Sequence, residues 1–592
     1  MSVRATTNET TGADGAPTTG GLSRRNLLGL AALGVGGGAV LASQATTAAS
    51  AGTTVTTASA VQAGAFGAAA PAAVAPAPTE ISGLTPFPQQ PDLNFQAQFN
   101  YGEAAYGAAE VGEVAAGVFD VNAAMAALDG QPVPVYEPYN ATFEALAARL
   151  AGEADADKAA GRYVSARSKY LRASGYYTGV LFFVLGTDTP TREPEIYAAM
   201  QRCWAEAAAL LEPVWTRVEI PMTVRFPDAT GAPVARTVTV PAYWARAAGD
   251  GPKPTVIVNN GSDAQLVDTY AFGGAAALEH GYNALMFEGP GQGSLLFEQD
   301  IPFTPYWEDV ITPLVDFVLV QPETDPEAIA LTGWSFGGLL VMRAAAYEHR
   351  IKAVVADPVF YDPTTPYEAL KQVPSNEDWG YYYGSLPAYG LEPPVMSQAY
   401  FRFLLNKRGE IFGEAFHAQA LSGVVIQDII GLLAAIGSYT GDEALFGRIT
   451  AHSLLLSYEY DTFFTGQDAT VKGWMTGAAS VGTHFFSEAE GAQFHCAPMA
   501  PQVRNEVVYA WLDQVFAHTP TPPAPPAPPV PPLPPVPAPV PAPAPGSGGA
   551  NGALAATGLD VGPVAAIAGG LATAGAGAAA LAAKLKASGH RS

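Results

Sequence analysis

The sequence is poor in cysteine and in charge. Only Cys203 and Cys496 occur among 592 residues, far apart and outside any C-x-x-C or Cys/His ligand spacing. That argues against a structural zinc site and leaves room for one disulfide at most. Charged side chains make up 14% of the chain, with 29 Lys and Arg against 54 Asp and Glu, for a net charge of -25. A surface of that sign repels phosphate, which argues against nucleic acid as a partner. No residue pattern calls for a metal or an organic cofactor, and no blade-length repeat points to a propeller. What the chain does have is apolar mass: 49% of its residues are hydrophobic, enough to bury a large core in a length that allows several domains.

The two ends read as addresses. In "LSRRNLLGLAALGVGGGAVLASQATTAASA", Arg24 and Arg25 precede a mildly apolar run from Leu27 to Ala42, and Ala49-Ser50-Ala51 offers a small-x-small cleavage site. Basic, apolar and small-residue regions in that order form an export signal over 1–51, and the S-R-R-x-L-L form points to the twin-arginine translocase. Residues 52–81 are Ala, Thr, Pro and Val with almost no charge, the composition of a linker. At the far end, 518–550 is a Pro-rich linker; its Pro-Ala-Val tract over 520–545, as polyproline II at roughly 3.1 Å per residue, makes a semi-rigid spacer of about 80 Å. Residues 551–592 then bring "LAATGLD", an Ala/Gly/Val run from Val561 to Ala583, and the basic tail "KLKASGHRS". This order resembles a Gram-positive cell-wall sorting signal of the L-A-x-T-G type used by actinobacterial sortases. The resemblance implies cleavage between Thr557 and Gly558 and attachment to peptidoglycan through Thr557. The apolar run is weak on insertion scales, so an uncut membrane anchor stays open as the other reading.

Between the ends, the hydrophobic period changes. Over 82–220 it is helical: Tyr163, Ala166, Tyr170, Ala173 and Tyr177 recur at spacings of three and four, and Thr191 to Trp215 reads as a further helix. Within 221–517, "MTVRFPD" and "ARTVTVPAYWAR" read as a β-hairpin. After it, the runs "PTVIVNNG", "YNALMFEGPG", "AIALTGWS", "IKAVVADPVF", "SLLLSYEYD" and "THFFSEAEG" alternate with helical stretches. That rhythm predicts a mostly parallel sheet covered by helices on both faces. Residues 361–448 interrupt it with a helical, aromatic-rich insertion, expected to form a lid.

"LTGWSFGGLL" places Ser335 between a short apolar strand and a helix, with Gly333 and Gly337 at its second neighbours. Strand, sharp turn and helix around G-x-S-x-G is the context of a nucleophile elbow. A serine needs a base, and the base needs an orienter. In this architecture they follow in the order serine, acid, histidine, each past the C-terminal end of a strand. Asp461 and His495 meet both conditions. Asp357, which also follows a strand, is the competing acid. His484 and His452 lie at the wrong ends of their strands, His280 and His349 end helices, and His417 falls in the insertion. Phe336 N–H supplies one oxyanion donor, and Ser262 or Asp263, after "VIVNNG", the other. Trp334 and Glu288 are candidates to line the pocket. For Glu288 a second reading, bracing the glycine turn of "FEGPGQG", stands beside the first.

These motifs resemble the α/β-hydrolase superfamily. From about 95 to 517 the chain looks like the branch with a helical N-terminal domain, which includes 2,6-dihydroxypseudooxynicotine hydrolase, fungal polyketide-shortening hydrolases and fermentation-respiration-switch-like esterases. "NNGSDA", "FEGPGQG", "GWSFGG", Asp461 and "GAQFHC" carry the likeness; at 288 the branch leads one to expect Asp rather than Glu. The resemblance implies hydrolysis of a small carbonyl compound and leaves the bond open. The expectation is an exported, wall-attached serine esterase. C–C hydrolysis of a β-diketone, peptidase activity and an idle adhesin on the same fold remain as alternatives. The lid tyrosines Tyr381, Tyr382 and Tyr383 suggest an apolar or aromatic substrate, although such residues more often fill a core.

Overall fold

The computed structural model describes residues 85–88, 90, 92–128, 135–388 and 397–519. The readings at both chain ends, including Arg24, Arg25, Thr557, Gly558 and the run from Val561 to Ala583, lie outside these residues. No helix among the described residues is long and apolar enough to cross a membrane.

Five helices come first: α1 (Leu93–Glu103), α2 (Val111–Ala126), α3 (Glu137–Ala159), α4 (Tyr163–Phe183) and α5 (Glu193–Ala208). α4 is the pillar of this group. Ala166, Tyr170, Ala173 and Tyr177 are buried as the spacing requires, whereas Tyr163, in its first turn, is exposed. From Ala173 onward α4 is buried on every side, which follows from its unbroken apolar end "GVLFF". α5 is shorter than its sequence pattern, ending at Ala208. Pro213 lies just beyond and disfavours helix in the residue before it.

The sheet holds eight strands: β1 (Thr216–Pro227), β2 (Pro233–Ala245), β3 (Lys253–Asn259), β4 (Asn283–Phe287), β5 (Thr324–Trp334), β6 (Ala353–Asp357), β7 (His452–Tyr458) and β8 (Ser480–Phe486). Their order is β1-β2-β4-β3-β5-β6-β7-β8. β1 and β2 form an antiparallel hairpin in which each strand starts earlier than the sequence pattern indicated, and β2 pairs antiparallel with β4. All other pairings are parallel. β4 and β6 are buried at every position, and β3 at all but its first, as their continuous apolar runs demand. Helices α6 (Glu308–Leu319), α7 (Gly337–Ala345) and α12 (Pro501–Phe516) pack on the sheet.

The insertion between β6 and β7 is helical, with α8 (Asn376–Ser385), α9 (Gln398–Gly409), α10 (Glu414–Leu421) and α11 (Ile429–Gly437) as its main elements. Register brings the ends that matter into one row. Asn259 pairs with Gly333, and Trp334 with Asp357, so the C-terminal ends of β3, β5 and β6 are side by side.

Candidate active site

β5 ends at Trp334 and α7 begins at Gly337, leaving two residues for the reversal. Ser335 takes φ +53°, a left-handed conformation that side chains rarely adopt. The tightness shows at Gly333, where a Cβ would fall 2.3 Å from the carbonyl oxygen of Gly337. No larger residue fits between strand and helix there.

Asp461 and His495 are delivered by two other strand ends. Beyond β7 and β8 the loops meet in an isolated parallel bridge between Tyr460 and Phe494, closed by Tyr460 N–H donating to the Gln493 carbonyl at 2.9 Å. The residue after each bridge partner is therefore an acid on one loop and an imidazole on the other. His495 Nδ1 lies 2.9 Å from Asp461 Oδ2, and its Nε2 lies 3.0 Å from Ser335 Oγ. A carboxylate only accepts, so Nδ1 carries the proton, and Nε2 of the neutral ring is left to accept from the serine hydroxyl. Asp461 Oδ1 accepts from the backbone N–H of Phe463 (2.7 Å) and Phe464 (3.1 Å). Burial pushes its carboxyl up, but His495 and these N–H groups outweigh that and hold it below the usual carboxylate range. Phe463 packs edge-on against the imidazole, ring centres 4.8 Å apart.

Asp357 is engaged elsewhere. Its carboxylate accepts from Arg504 Nε and from the Tyr458 hydroxyl, all three buried, and Arg504 also holds the carbonyl oxygen of Phe272. Among the described residues, the other histidines take no part in this site. His484 sits within β8 rather than at its start and faces Glu490; His452 opens β7 beside Ser480; His280 stacks on Tyr509. His349 contacts the Ala346 carbonyl.

The backbone near the serine narrows the candidates for an oxyanion site. Ser335 N–H is taken by the Asp357 carbonyl at 2.6 Å, with Cys496 Sγ also at 3.2 Å, so the next amide, Phe336, is the one free for an oxyanion. Phe336 opens α7, whose N-terminus adds positive potential. Opposite lies the turn 261–263. A Cβ on Gly261 would sit 3.3 Å from Phe336 N. Gly261 N–H itself donates to Asn260 Oδ1, which leaves the N–H groups of Ser262 and Asp263 as the candidates for a second donor. Sequence reasoning passed over what holds this turn. Gln292 Nε2 donates to the carbonyls of Asn260 (3.0 Å) and Gly261 (2.8 Å), while its Oε1 accepts from Gly289 N–H (2.9 Å). The conspicuous "FEGPGQG" signal marked the segment, but not this role.

Two chambers meet at Ser335 and His495, each enclosing about 510 Å³ including the part open to solvent. The first, toward the insertion, is lined by Ser262, Phe336, Pro366, Tyr367, Arg408, Ile411, Phe412, Ile436 and Phe464, among others. The second, toward the helical domain, is lined by Gln96, Phe99, Thr178, Phe182, Asp268, Trp334 and Cys496, among others. Asp263 and Phe95 border both. Glu288 lines neither chamber; its carboxylate accepts from the Tyr197 hydroxyl and from Ser294 N–H and Oγ, bracing the turn after β4. Two of the three tyrosines of the insertion take a packing role. Tyr381 is exposed, Tyr382 and Tyr383 pack on Trp379, and none lines a chamber. Both cysteines are free and buried, with no disulfide between them. Among the described residues, Glu193, Glu410 and His417 gather their ligand atoms within 4.8 Å of one another. Lys407 Nζ, 2.6 Å from Glu410 Oε1, already supplies positive charge there.

Residues 256–503 match the model of the alpha/beta hydrolase family. Together with the sheet order, this match gives the region the α/β-hydrolase fold. It is 33% identical over 260 residues to hydrolase acrC of Aspergillus aculeatus, covering 42% of this chain and 59% of that one. Over 231 residues it is 35% identical to alpha/beta hydrolase ucsC of an Acremonium species, covering 37% and 46%. The chain thus spans about half the length of these curated relatives. Among solved structures, 2,6-dihydroxy-pseudo-oxynicotine hydrolase aligns over 71% of this chain and 98% of its own, at 18% identity and a TM-score of 0.49.

Proposed function

We propose that this α/β-hydrolase is a serine esterase acting on a small carbonyl compound at the outer surface of a Gram-positive cell. The observation that carries the reading is the unbroken relay from Ser335 Oγ through the His495 ring to Asp461, at 3.0 and 2.9 Å. His495 Nε2 takes the hydroxyl proton as Ser335 Oγ bonds to the carbonyl carbon. The carbonyl π electrons move onto oxygen, which Phe336 N–H and the 262–263 turn stabilise. Each such donor is worth roughly 3 kcal/mol. Collapse expels the leaving alkoxide, protonated by the imidazolium, and leaves an acyl-serine. Water, deprotonated by His495, then releases the acid. Asp461 holds the tautomer throughout and steadies the imidazolium. Two chambers around one nucleophile suit a substrate with an arm on each side of the scissile bond.

The chain ends support the location: the Arg24-Arg25 export signal, the proline spacer, and Thr557-Gly558 in the sorting motif. A twin-arginine translocase, a sortase and peptidoglycan are the partners this reading requires. In the purified protein, a fluorophosphonate probe should label Ser335, and Ser335→Ala should abolish both labelling and p-nitrophenyl butyrate turnover while circular dichroism is unchanged. Unaltered turnover in that variant ends the assignment. Digestion of the cell wall should release a protein whose last residue is Thr557; retention inside the cell would overturn the location.

A further inference from the structure

We infer that Arg408 is the anchor for a carboxylate on the substrate, so that the preferred esters are half-esters of short dicarboxylic acids. The inference rests on the esterase reading and specifies it. Arg408 projects from α9, the second helix of the insertion, into the first chamber, which also contains Ser335 and His495. Its side chain is 10% exposed. One edge of the guanidinium is used: Nη1 donates to Asp263 Oδ2, tying the insertion to the oxyanion turn. The other edge is not. Nε and Nη2 are buried and have no hydrogen-bond partner.

Those two nitrogens form the side-on fork of a guanidinium, with parallel N–H bonds spaced to match the two oxygens of a carboxylate. Leaving two such donors buried and unmade costs free energy, because each has given up water. A structure that tolerates this beside a nucleophile has a recognition group in place for what the chamber admits. The fork is also fixed in orientation. Phe182 and Phe463 lie against the guanidinium, with Cζ 5.7 and 5.2 Å from their ring centres, and Asp263 holds the opposite edge. A planar group clamped on three sides loses little freedom when a carboxylate docks. Lys407, its neighbour, does not compete, since its ammonium is committed to Glu410. Tyr367 lines the same chamber with its hydroxyl pushed up to about 12, chiefly by burial and against the pull of Arg408, so it remains a donor.

The test compares p-nitrophenyl butyrate with the hemisuccinate, hemiglutarate and hemiadipate of p-nitrophenol. In the wild type the best half-ester should exceed butyrate in kcat/KM by tenfold or more. Arg408→Gln should lower that ratio at least 30-fold, mainly through KM, and Arg408→Lys, which keeps the charge but loses the fork, should recover only a minor part. Should the variants not fold, the wild type suffices: glutarate should inhibit butyrate hydrolysis competitively, and glutaramide should not. Independently of turnover, glutarate should raise the melting temperature of the wild type. Butyrate turnover with no preference for any half-ester and no inhibition by glutarate overturns the anchor and leaves the esterase standing. No turnover of any ester and no probe labelling overturns the esterase, and the melting shift then decides the anchor alone.

Discussion

Gly261 lies against Ser335 so closely that a Cβ on the glycine would fall 2.7 Å from the Cβ of the serine and 2.7 Å from the Trp334 carbonyl. Contacts that short do not occur between real side chains, and the neighbours are the nucleophile and its backbone. Gly261→Ala must therefore push the 261–263 turn off Phe336 N and spoil the oxyanion site. The expected loss is on the order of 10²-fold in kcat, the cost of removing one oxyanion donor, with KM for p-nitrophenyl butyrate changed far less.

Gln292 holds the same turn from the other side, through the carbonyls of Asn260 and Gly261. Gln292→Ala takes the side-chain donor from the Gly261 carbonyl, leaves the Asn260 carbonyl with Asn259 Nδ2 alone, and frees the turn to move. kcat should fall about tenfold, less than for Gly261→Ala, since the donor is loosened rather than displaced. Gln292→Glu should be worse than alanine, because a carboxylate accepts and cannot donate to either carbonyl. Equal rates for wild type and Gln292→Ala would remove Gln292 from the positioning of the turn.

Asp461→Asn replaces the acceptor at His495 Nδ1 by a group able to donate. The ring then favours the tautomer with its proton on Nε2, facing Ser335, where no general base remains. A loss on the order of 10⁴-fold in kcat is expected with the fold intact. Asp357→Asn should behave differently. It strips a buried guanidinium, Arg504, of its partner, so the melting temperature should drop while the imidazole keeps its orienter. Comparing melting curves and kcat for the two variants separates the roles.

That pair of acids shows where sequence runs out. Both follow apolar strands, and the serine–acid–histidine order admits either. What decides between them is the bridge between Tyr460 and Phe494 on one side and Arg504 on the other, contacts set by packing across 34 and 147 positions. The sheet was legible because buried parallel strands are continuous apolar runs, and the elbow because glycine spacing and a strand-to-helix change coincide at Ser335. The hairpin of β1 and β2 was legible only in part, since most of the residues that lead into each strand are exposed. The chamber walls were not legible. Phe95, Thr178 and Phe182 come from the helical domain, and Arg408 reaches Asp263 across 145 residues. Tyr381, Tyr382 and Tyr383 drew attention by composition alone, yet helical periodicity turns them toward solvent and Trp379.

The contact between the helical domain and the insertion should depend on pH. Glu193 on α5 and Glu410 after α9 are both buried, beside the single ammonium of Lys407; His417 on α10 lies 3.2 Å from Glu193 and 3.0 Å from Asp300. Burial, then repulsion from Glu193, pushes the Glu410 carboxyl up to about 8, with Lys407 pulling the other way. An unfolded chain would ionise it near 4.5. Between these values the native protein binds the extra proton, so stability falls as pH rises from about 4.5 to about 8, by up to roughly 1.4 kcal/mol per pH unit for one proton. Glu410→Gln leaves one carboxylate, Glu193, for one ammonium. Its urea midpoint should vary less between pH 5 and pH 8 than that of the wild type, and should overtake it at the upper end. A wild type whose midpoint rises across that range, or a variant with the same slope, would show that this buried cluster does not set the pH dependence.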